Sequence, residues 1–119
     1  MVEGAVKPAG LYSHAIVANG FVYVSGQGPA DPTTGTVPDG FAAQVRQTLR
    51  NVQTILSGVG AGLGDVVKVN AYLSDVTRFR EYDGIYREFF AAEPPARTTV
   101  GCQLVGIQVE IDCVAVLPT

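Results

Sequence analysis

The sequence predicts an α+β fold in which two helices pack on one face of a single β-sheet. Two apolar stripes at helical spacing alternate with β-forming segments, and pairs of such segments stand at both ends of the chain. The resulting order, β-β-α-β-α-β-β, is typical of a two-layer architecture. We expect one domain over residues 1–119, because a chain of 119 residues suits a single core.

The first two predicted strands form a hairpin. Residues 13–25, SHAIVANGFVYVS, contain two β-forming runs around Asn19-Gly20, the favoured pair for a two-residue type I′ turn. His14 is expected on this first strand, facing solvent or an interface. Residues 26–40, GQGPADPTTGTVPDG, are turn formers and predict a loop. Asp39 is the predicted N-cap of the helix that follows.

An amphipathic helix follows this loop and is closed by Gly60. Its apolar residues recur at spacings of three and four: Phe41, Val45, Leu49, Val52, Leu56 and Val59. Residues 66–73 then predict a strand, because apolar side chains at every second position share one face: Val67, Val69, Ala71 and Leu73.

The second helix is predicted to begin near Thr77. An aromatic stripe marks its buried side: Phe79, Tyr82, Tyr86 and Phe89. Pro94 and Pro95 end the helix, because proline disfavours helical backbone at and before its own position. Two further strands, residues 97–105 and 108–117, are predicted on either side of a short turn at Gly106.

Alternation along the last two strands places polar residues on a common face. Arg97 and Thr99 share one face of their strand, which we expect to point away from the helices, and Glu110 and Asp112 share the polar face of the next strand. Arg97 and Glu110 are therefore predicted on the same face of adjacent strands. The pair is either a salt bridge at an interface, or a guanidinium fork for a substrate carboxylate beside a base or water anchor.

Composition excludes several classes of protein. Hydrophobic residues make up 47% of the chain and charged residues only 16%, yet no apolar run approaches the ~20 residues of a spanning helix. We therefore expect self-association rather than a membrane, and a cytoplasmic location, since no signal peptide is recognisable. The net charge of −3 and the absence of a basic cluster argue against nucleic acid. One histidine and two cysteines provide no zinc site, and we expect Cys102 and Cys113 to be buried thiols.

Several segments, in this order, resemble one family. They are LYSHA (11–15), VYVSGQGP (22–29), DPTTG (31–35), QTLRNVQTIL (47–56), GDVVKVNAYLSD (64–75), IYREFF (85–90), PPART (94–98) and VEIDCVAV (109–116). Together they are similar to the RidA (YjgF) family of enamine/imine deaminases, some of whose members are labelled endoribonuclease L-PSP. The resemblance covers nearly the whole chain and implies a chorismate-mutase-like homotrimer with a central β-barrel and clefts between subunits.

The resemblance also implies an activity, the hydrolysis of 2-imino acids and their enamine tautomers to 2-keto acids and ammonia, without a metal or organic cofactor. The family arginine that binds the substrate carboxylate falls on Arg97, and the glutamate that positions the attacking water falls on Glu110. The N-terminal tyrosine falls on Tyr12, which we take as a third catalytic residue. Ser25 and Gly26 fall on the family's SGQ stretch and are expected to line the substrate site.

Two positions depart from the family pattern. Thr99 stands where the family commonly has cysteine, and Asp83 stands where it has asparagine in the second helix. Thr99 keeps a hydroxyl that can line the cleft, whereas Asp83 brings a negative charge to a site meant for an anion, unless it is protonated or salt-bridged. Two alternatives to a deaminase therefore stay open: a non-catalytic binder of small carboxylates, and a divergent member acting on another carboxylate-bearing intermediate.

Overall fold

The computed structural model describes residues 1–119 and contains one mixed five-stranded sheet with two α-helices. The strands are β1 (Ala15–Ala18), β2 (Phe21–Gln27), β3 (Val66–Leu73), β4 (Ala96–Gly101) and β5 (Val109–Val116), in the order β1-β2-β5-β3-β4. The helices are α1 (Phe41–Gly58) and α2 (Phe79–Phe90). Only β3 and β4 run parallel. The predicted α+β class and mixed sheet are confirmed.

The hairpin and both helices lie where the local sequence signals predict them. Asn19 and Gly20 have φ values of 52° and 79°, as a type I′ turn requires. The N-cap of α1 is Gly40, however, and it makes no side-chain cap, so the prediction of Asp39 was wrong. A 3-10 turn over Val76–Arg78 precedes α2, and the Asp75 carboxylate accepts from the Thr77 N–H at 3.1 Å.

The last two strands do not form the predicted hairpin. β4 ends at Gly101 and lies beside β3, while β5 lies between β2 and β3. The reason is that β3, α2 and β4 form a parallel crossover unit, which brings β4 to the outer side of β3. Residues 102–108 then carry the chain to the other side of β3. The sequence pattern predicted both strands but not their separation.

A β-bulge changes the predicted face of one β3 residue. The pairing of β3 with β5 steps from Val66–Ala115 to Lys68–Val114, so Val67 has no partner of its own. Val66 and Val69 are both buried against the helices, whereas Val67 is 46% exposed. Strict alternation, which grouped Val67 with Val69, was therefore wrong at this position.

The core lies between the helices and the sheet, and the other face of the sheet carries no helix. Twenty buried hydrophobic residues form one cluster, which includes Leu49 and Ile55 of α1, Tyr82 of α2 and Ile111 of β5. Cys113 belongs to this cluster, but Cys102 is exposed beyond the end of β4, which corrects the expectation of two buried thiols. Neither helix is long and apolar enough to span a bilayer.

His14 is buried, which contradicts its expected exposure. Its Nδ1 accepts from the Val2 N–H at 2.8 Å, and its Nε2–H donates to the Val6 carbonyl at 2.7 Å. These two bonds define the neutral tautomer that carries its proton on Nε2. They fasten the N-terminal segment to the start of β1.

Truncation of Leu49 tests the core. Leu49 is fully buried, so Leu49→Ala is expected to lower the free energy of unfolding by about 2–5 kcal/mol through lost burial and a residual cavity. Urea unfolding at one fixed protein concentration measures the change. Gln53→Ala, at an exposed position of the same helix, should change it by less than about 0.5 kcal/mol. Equal losses in the two variants would contradict this packing.

Candidate functional site

Arg97 lies under α2, held against three aromatic rings. Its guanidinium carbon is 4.4 Å from the centre of the Tyr86 ring and 5.4 Å from the centres of the Phe79 and Tyr82 rings. Only 18% of the side chain is exposed. Guanidinium groups are attracted to aromatic faces at these distances, so the rings fix the orientation of Arg97.

This position corrects the predicted face of β4. Arg97 pairs with Val69 of β3, whose side chain is buried on the helix side of the sheet. Arg97 and Thr99 therefore point toward α2, and Thr98 and Val100 point toward the open face. Alternation predicted which residues share a face, but it does not say which face the helix covers, and the polar character of Arg97 suggested the wrong one.

Asp83 of α2 is the ion-pair partner of Arg97. Arg97 Nη2 lies 2.9 Å from Asp83 Oδ1, and the side chain of Asp83 is 28% exposed. The second oxygen, Oδ2, is 3.5 Å from Nε of Arg87, whose side chain is 77% exposed. The negative charge that departs from the family pattern is thus salt-bridged, mainly to the residue expected to bind substrate.

A solvent-open hollow of about 550 Å³, here called the Arg97 hollow, lies beside this pair. Its lining includes Asp83, Tyr86, Arg87, Phe90, Pro94 and Arg97. The hydroxyls of Tyr82, Tyr86 and Thr99 are buried, and their protons have no acceptor. Burial raises the pKa of Tyr86 to about 12, against the opposing effects of the charge of Arg97 and of its hydrogen bonding to the hydroxyl oxygen, so this phenol stays protonated and able to donate.

Glu110 lies on the open face of the sheet, beside a β-bulge in β2. The pairing with β5 steps from Val24–Cys113 to Gln27–Ile111, so Ser25 and Gly26 together oppose a single residue of β5. A Cβ atom at Gly26 would overlap the Glu110 carboxylate. Glycine at this bulge is therefore what allows the carboxylate to lie against the backbone of β2.

The Glu110 carboxylate is the unpaired member of an acidic pair. Asp112 accepts hydrogen bonds from Asn70 Nδ2 and the Tyr72 hydroxyl, both at 2.9 Å, whereas the side chain of Glu110 makes no hydrogen bond. Partial burial, and then the charge of Asp112, raise the pKa of Glu110 above its ordinary value. A free carboxylate with a raised pKa is suited to accepting a proton from water.

A second hollow, of about 500 Å³ and here called the Glu110 hollow, adjoins this carboxylate. Its lining includes Lys7, Tyr12, Gly26, Gly28, Ile107 and Glu110. The Tyr12 hydroxyl accepts from the Ala9 N–H at 3.1 Å and can still donate its own proton. The Ser25 hydroxyl instead donates to the Ser13 carbonyl at 2.6 Å, which ties the bulge to the segment before β1.

Buried amides of α1 hold the loops of the Glu110 hollow, and the sequence reasoning missed them. The side-chain amide of Asn51 donates to the carbonyls of Gly28 and Ala30, at 2.9 and 2.8 Å. The carbonyl of Gln44 accepts from the Gln108 N–H at 2.9 Å. The signal was present: these residues continue the buried side of α1 at helical spacing, where unpaired polar groups are costly.

The structure therefore separates the predicted site residues into two groups. Arg97, Asp83 and Thr99 lie on the helix side of the sheet, whereas Glu110 lies on the open side, with Gly26 and Tyr12 around its hollow. β3 also lies between β4 and β5. The predicted adjacency of Arg97 and Glu110 within one chain was wrong. No group of three His, Cys, Asp or Glu residues is arranged to hold a metal ion.

Comparison with known proteins identifies the family. The family model described as "Endoribonuclease L-PSP" matches residues 2–117. The chain belongs to this family, which includes the RidA and YjgF proteins. A RutC family protein of Pyrococcus horikoshii is 40% identical over 116 residues, which cover 95% of this chain and 92% of that protein.

Solved structures of the family have the same fold. RidA from an Antarctic Psychrobacter is 32% identical, with a TM-score of 0.94 over 98% of this chain and 97% of that one. TdcF of E. coli, crystallised with bound serine, is 30% identical, with a TM-score of 0.93 over 99% of this chain and 98% of that one. The family resemblance predicted from the sequence motifs is confirmed.

Replacement of Glu110 tests its environment. Folding raises the pKa of Glu110. Protonated Glu110 therefore stabilises the folded state in full below the unfolded pKa, and this stabilisation is lost as pH rises through the folded pKa. Glu110→Gln is therefore expected to be more stable than the native protein at neutral pH, with the difference shrinking towards about pH 4. Thermal unfolding across this range measures the difference. A pH-independent difference for Glu110→Gln would contradict the assignment.

Proposed function

We propose that this protein is a hydrolase that converts 2-imino acids and their enamine tautomers to 2-keto acids and ammonia. The reaction takes place in clefts between the subunits of a homotrimer. The observation that carries the proposal is the presence of two incomplete half-sites: an orientated guanidinium beside one hollow, and an unpaired carboxylate beside another. Each half-site supplies what the other lacks for the hydrolysis of a carboxylate-bearing imine.

Association of copies is the way to bring the half-sites together. Arg97 lies on the edge strand β4, and Tyr12 lies three residues before the opposite edge strand β1. The open face between these edges exposes several large apolar side chains: Ile16, Phe21, Tyr23, Val100 and Val116. Exposed apolar patches of this kind mark interaction sites. A closed ring places the Arg97 hollow of one subunit against the Glu110 hollow of its neighbour.

Arg97 binds the substrate carboxylate. The contact with Asp83 is through Nη2, and the guanidinium carries further N–H groups that can form charge-assisted hydrogen bonds to a carboxylate. The aromatic rings that surround Arg97 hold its orientation before substrate arrives, which lowers the entropy lost on binding. TdcF, which binds serine in its crystal structure, supports a ligand of amino-acid size and polarity. Thr99 lines the same subsite.

Glu110 supplies the base. It takes a proton from water as the oxygen attacks the protonated imine carbon, and the C=N electron pair moves to nitrogen to give a neutral carbinolamine. Glu110 returns the proton to the amino group, the C–N bond breaks and ammonia leaves. Glu110 accepts the hydroxyl proton as the carbonyl forms and then releases it to solvent. Tyr12 donates a hydrogen bond in this cleft, and the backbone at Ser25 and Gly26 lines it.

The proposal departs from the nuclease activity in the name of the family model. The net charge of −3 and the sequence pI of about 4.9 oppose binding to a phosphate backbone, for which a basic face supplies most of the affinity. A non-catalytic binder of small carboxylates would use the same Arg97 hollow. Turnover separates that alternative from the enzyme.

A panel of imines tests the activity. An amino-acid oxidase generates 2-imino acids in situ, and their loss is followed with and without the protein. We expect the native protein to accelerate the loss, and Arg97→Ala to reduce kcat/KM by at least about 100-fold, because the substrate carboxylate loses its partner. Arg80→Ala removes an exposed arginine of α2 and should leave the rate unchanged. Binding of 2-keto acids without acceleration for any imine would instead identify a non-catalytic binder.

Mixed oligomers test the shared cleft. Arg97→Ala and Glu110→Ala chains, each inactive alone, are co-expressed with different tags and isolated together. If Arg97 and Glu110 of one site come from different chains, each doubly tagged trimer contains one native site of three, so about one third of the native activity returns. Complete inactivity of the mixture would contradict a composite site. A solution mass equal to the single-chain 12.5 kDa rather than three times that value would exclude the trimer.

A further inference from the structure

The chain adds a carboxylate at the point where its substrate carboxylate is proposed to bind. Asp83 Oδ1 lies 2.9 Å from Arg97 Nη2, so any anion that binds the rest of this guanidinium lies within a few ångströms of a second negative charge. The other partner of Asp83, Arg87, is 3.5 Å away and 77% exposed, which makes its neutralising effect weak. A ligand with only a carboxylate is therefore repelled by Asp83 at short range.

A ligand with a positive nitrogen next to its carboxylate experiences the opposite effect. The nitrogen of a protonated 2-imino acid, like that of an amino acid, is bonded to the carbon that bears the carboxylate. When Arg97 holds the carboxylate, this nitrogen lies close enough to donate to Asp83. The arrangement pairs opposite charges at both ends of the ligand. A 2-keto acid has the same skeleton but lacks the positive nitrogen.

A second feature of the hollow points to a polar ligand. Tyr86 lines the Arg97 hollow and is only 4% exposed, and its hydroxyl proton has no acceptor, because the neighbouring Arg97 guanidinium can only donate. Buried hydroxyls without an acceptor are rare, because each costs free energy comparable to a lost hydrogen bond. A ligand carboxylate on Arg97 would accept from this hydroxyl, since Arg97 lies 4.4 Å from the centre of the same ring.

We propose that Asp83 makes the Arg97 hollow selective for zwitterions, namely protonated 2-imino acids and amino acids, over anionic 2-keto acids. The inference rests on the proposed function in identifying the substrate, and it adds the charge form that is bound. Asp83 accepts from the cationic nitrogen and Arg97 binds the carboxylate. Hydrolysis removes the nitrogen as ammonia, so the keto-acid product meets an unpaired Asp83 and dissociates.

Equilibrium binding tests this selectivity without any turnover. Isothermal titration calorimetry compares leucine with its 2-keto acid, 4-methyl-2-oxopentanoate, two ligands that differ in the nitrogen and not in the side chain. Native protein should bind leucine more tightly. Asp83→Asn should shift the ratio of the two dissociation constants by at least about tenfold in favour of the keto acid, the direction set by the lost charge. Arg87→Gln, which frees Asp83 from its second partner, should shift the ratio the other way.

One variant serves as the control for this binding experiment. Asp39→Asn makes the same chemical change at an exposed site and should leave the ratio unchanged. Tighter binding of the keto acid than of leucine by native protein, no binding of either ligand, or an unchanged ratio in Asp83→Asn would overturn the inference. A further pair, aspartate and oxaloacetate, repeats the comparison with a second carboxylate on both ligands, and tighter binding of oxaloacetate would also overturn the inference.

The same measurements separate this inference from the proposed function. Accelerated imine loss without a preference for leucine would keep the deaminase and remove the role of Asp83. A preference for leucine that depends on Asp83, without acceleration for any imine, would keep the selectivity and remove the catalytic function.

Discussion

The ion pair between Arg97 and Asp83, set against the aromatic side of α2, is the interaction on which the geometry of the site depends. A guanidinium that is only 18% exposed is costly to desolvate unless charge and polarisable groups compensate. Asp83 supplies the charge, and the rings of Phe79, Tyr82 and Tyr86 supply attractive faces. The crossover from β3 through α2 to β4 brings these groups together, so the position of the clamp follows from the topology of the sheet.

On the open face of the sheet, two neighbouring carboxylates differ in their hydrogen bonding. Asp112 is satisfied by Asn70 and Tyr72, whereas Glu110 beside it makes no hydrogen bond and has a raised pKa. The glycine at the β2 bulge lets this carboxylate lie against the backbone, where its charge is partly desolvated. Glu110 is thus unfavourable for the stability of the folded chain, yet the local geometry accommodates it. Residues of this kind are typical of functional positions.

Local sequence signals predicted the helices and strands, whereas contacts between distant parts of the chain determine the arrangement of the site. The Asn19-Gly20 turn and the apolar stripe of α1 are encoded within a few residues of themselves, and both were predicted correctly. The insertion of β5 between β2 and β3 depends on contacts between distant parts of the chain, which periodicity does not report. Alternation grouped Arg97 with Thr99 correctly. It could not show that α2 covers their face, because that depends on the path of the crossover.

The sequence motifs indicated which residues belong to the site, but they did not predict how these residues are arranged in space. Arg97 and Glu110 lie in the short segments PPART and VEIDCVAV, which resemble the family only as part of the ordered set of motifs. Strand spacing suggested that the two residues were neighbours in one chain. Their separation onto opposite faces is what makes association between copies necessary for the proposed reaction. The buried hydrogen bonds of His14 and Asn51 were also beyond motif matching, since their partners are backbone groups of distant loops.

The charges around the Arg97 hollow act differently at long and short range. Arg87 and Arg97 together outnumber Asp83, so at distances of about one Debye length, ~8–10 Å in physiological salt, the group attracts a carboxylate. When the ligand is in contact with the site, it interacts with each charged group separately. Asp83 then repels a second anion that binds Arg97. A neutral asparagine would leave the long-range attraction stronger and remove the contact repulsion. Asp83 therefore lowers the affinity of the hollow for anions in general. In return, the hollow discriminates between ligands by the nitrogen that the reaction removes.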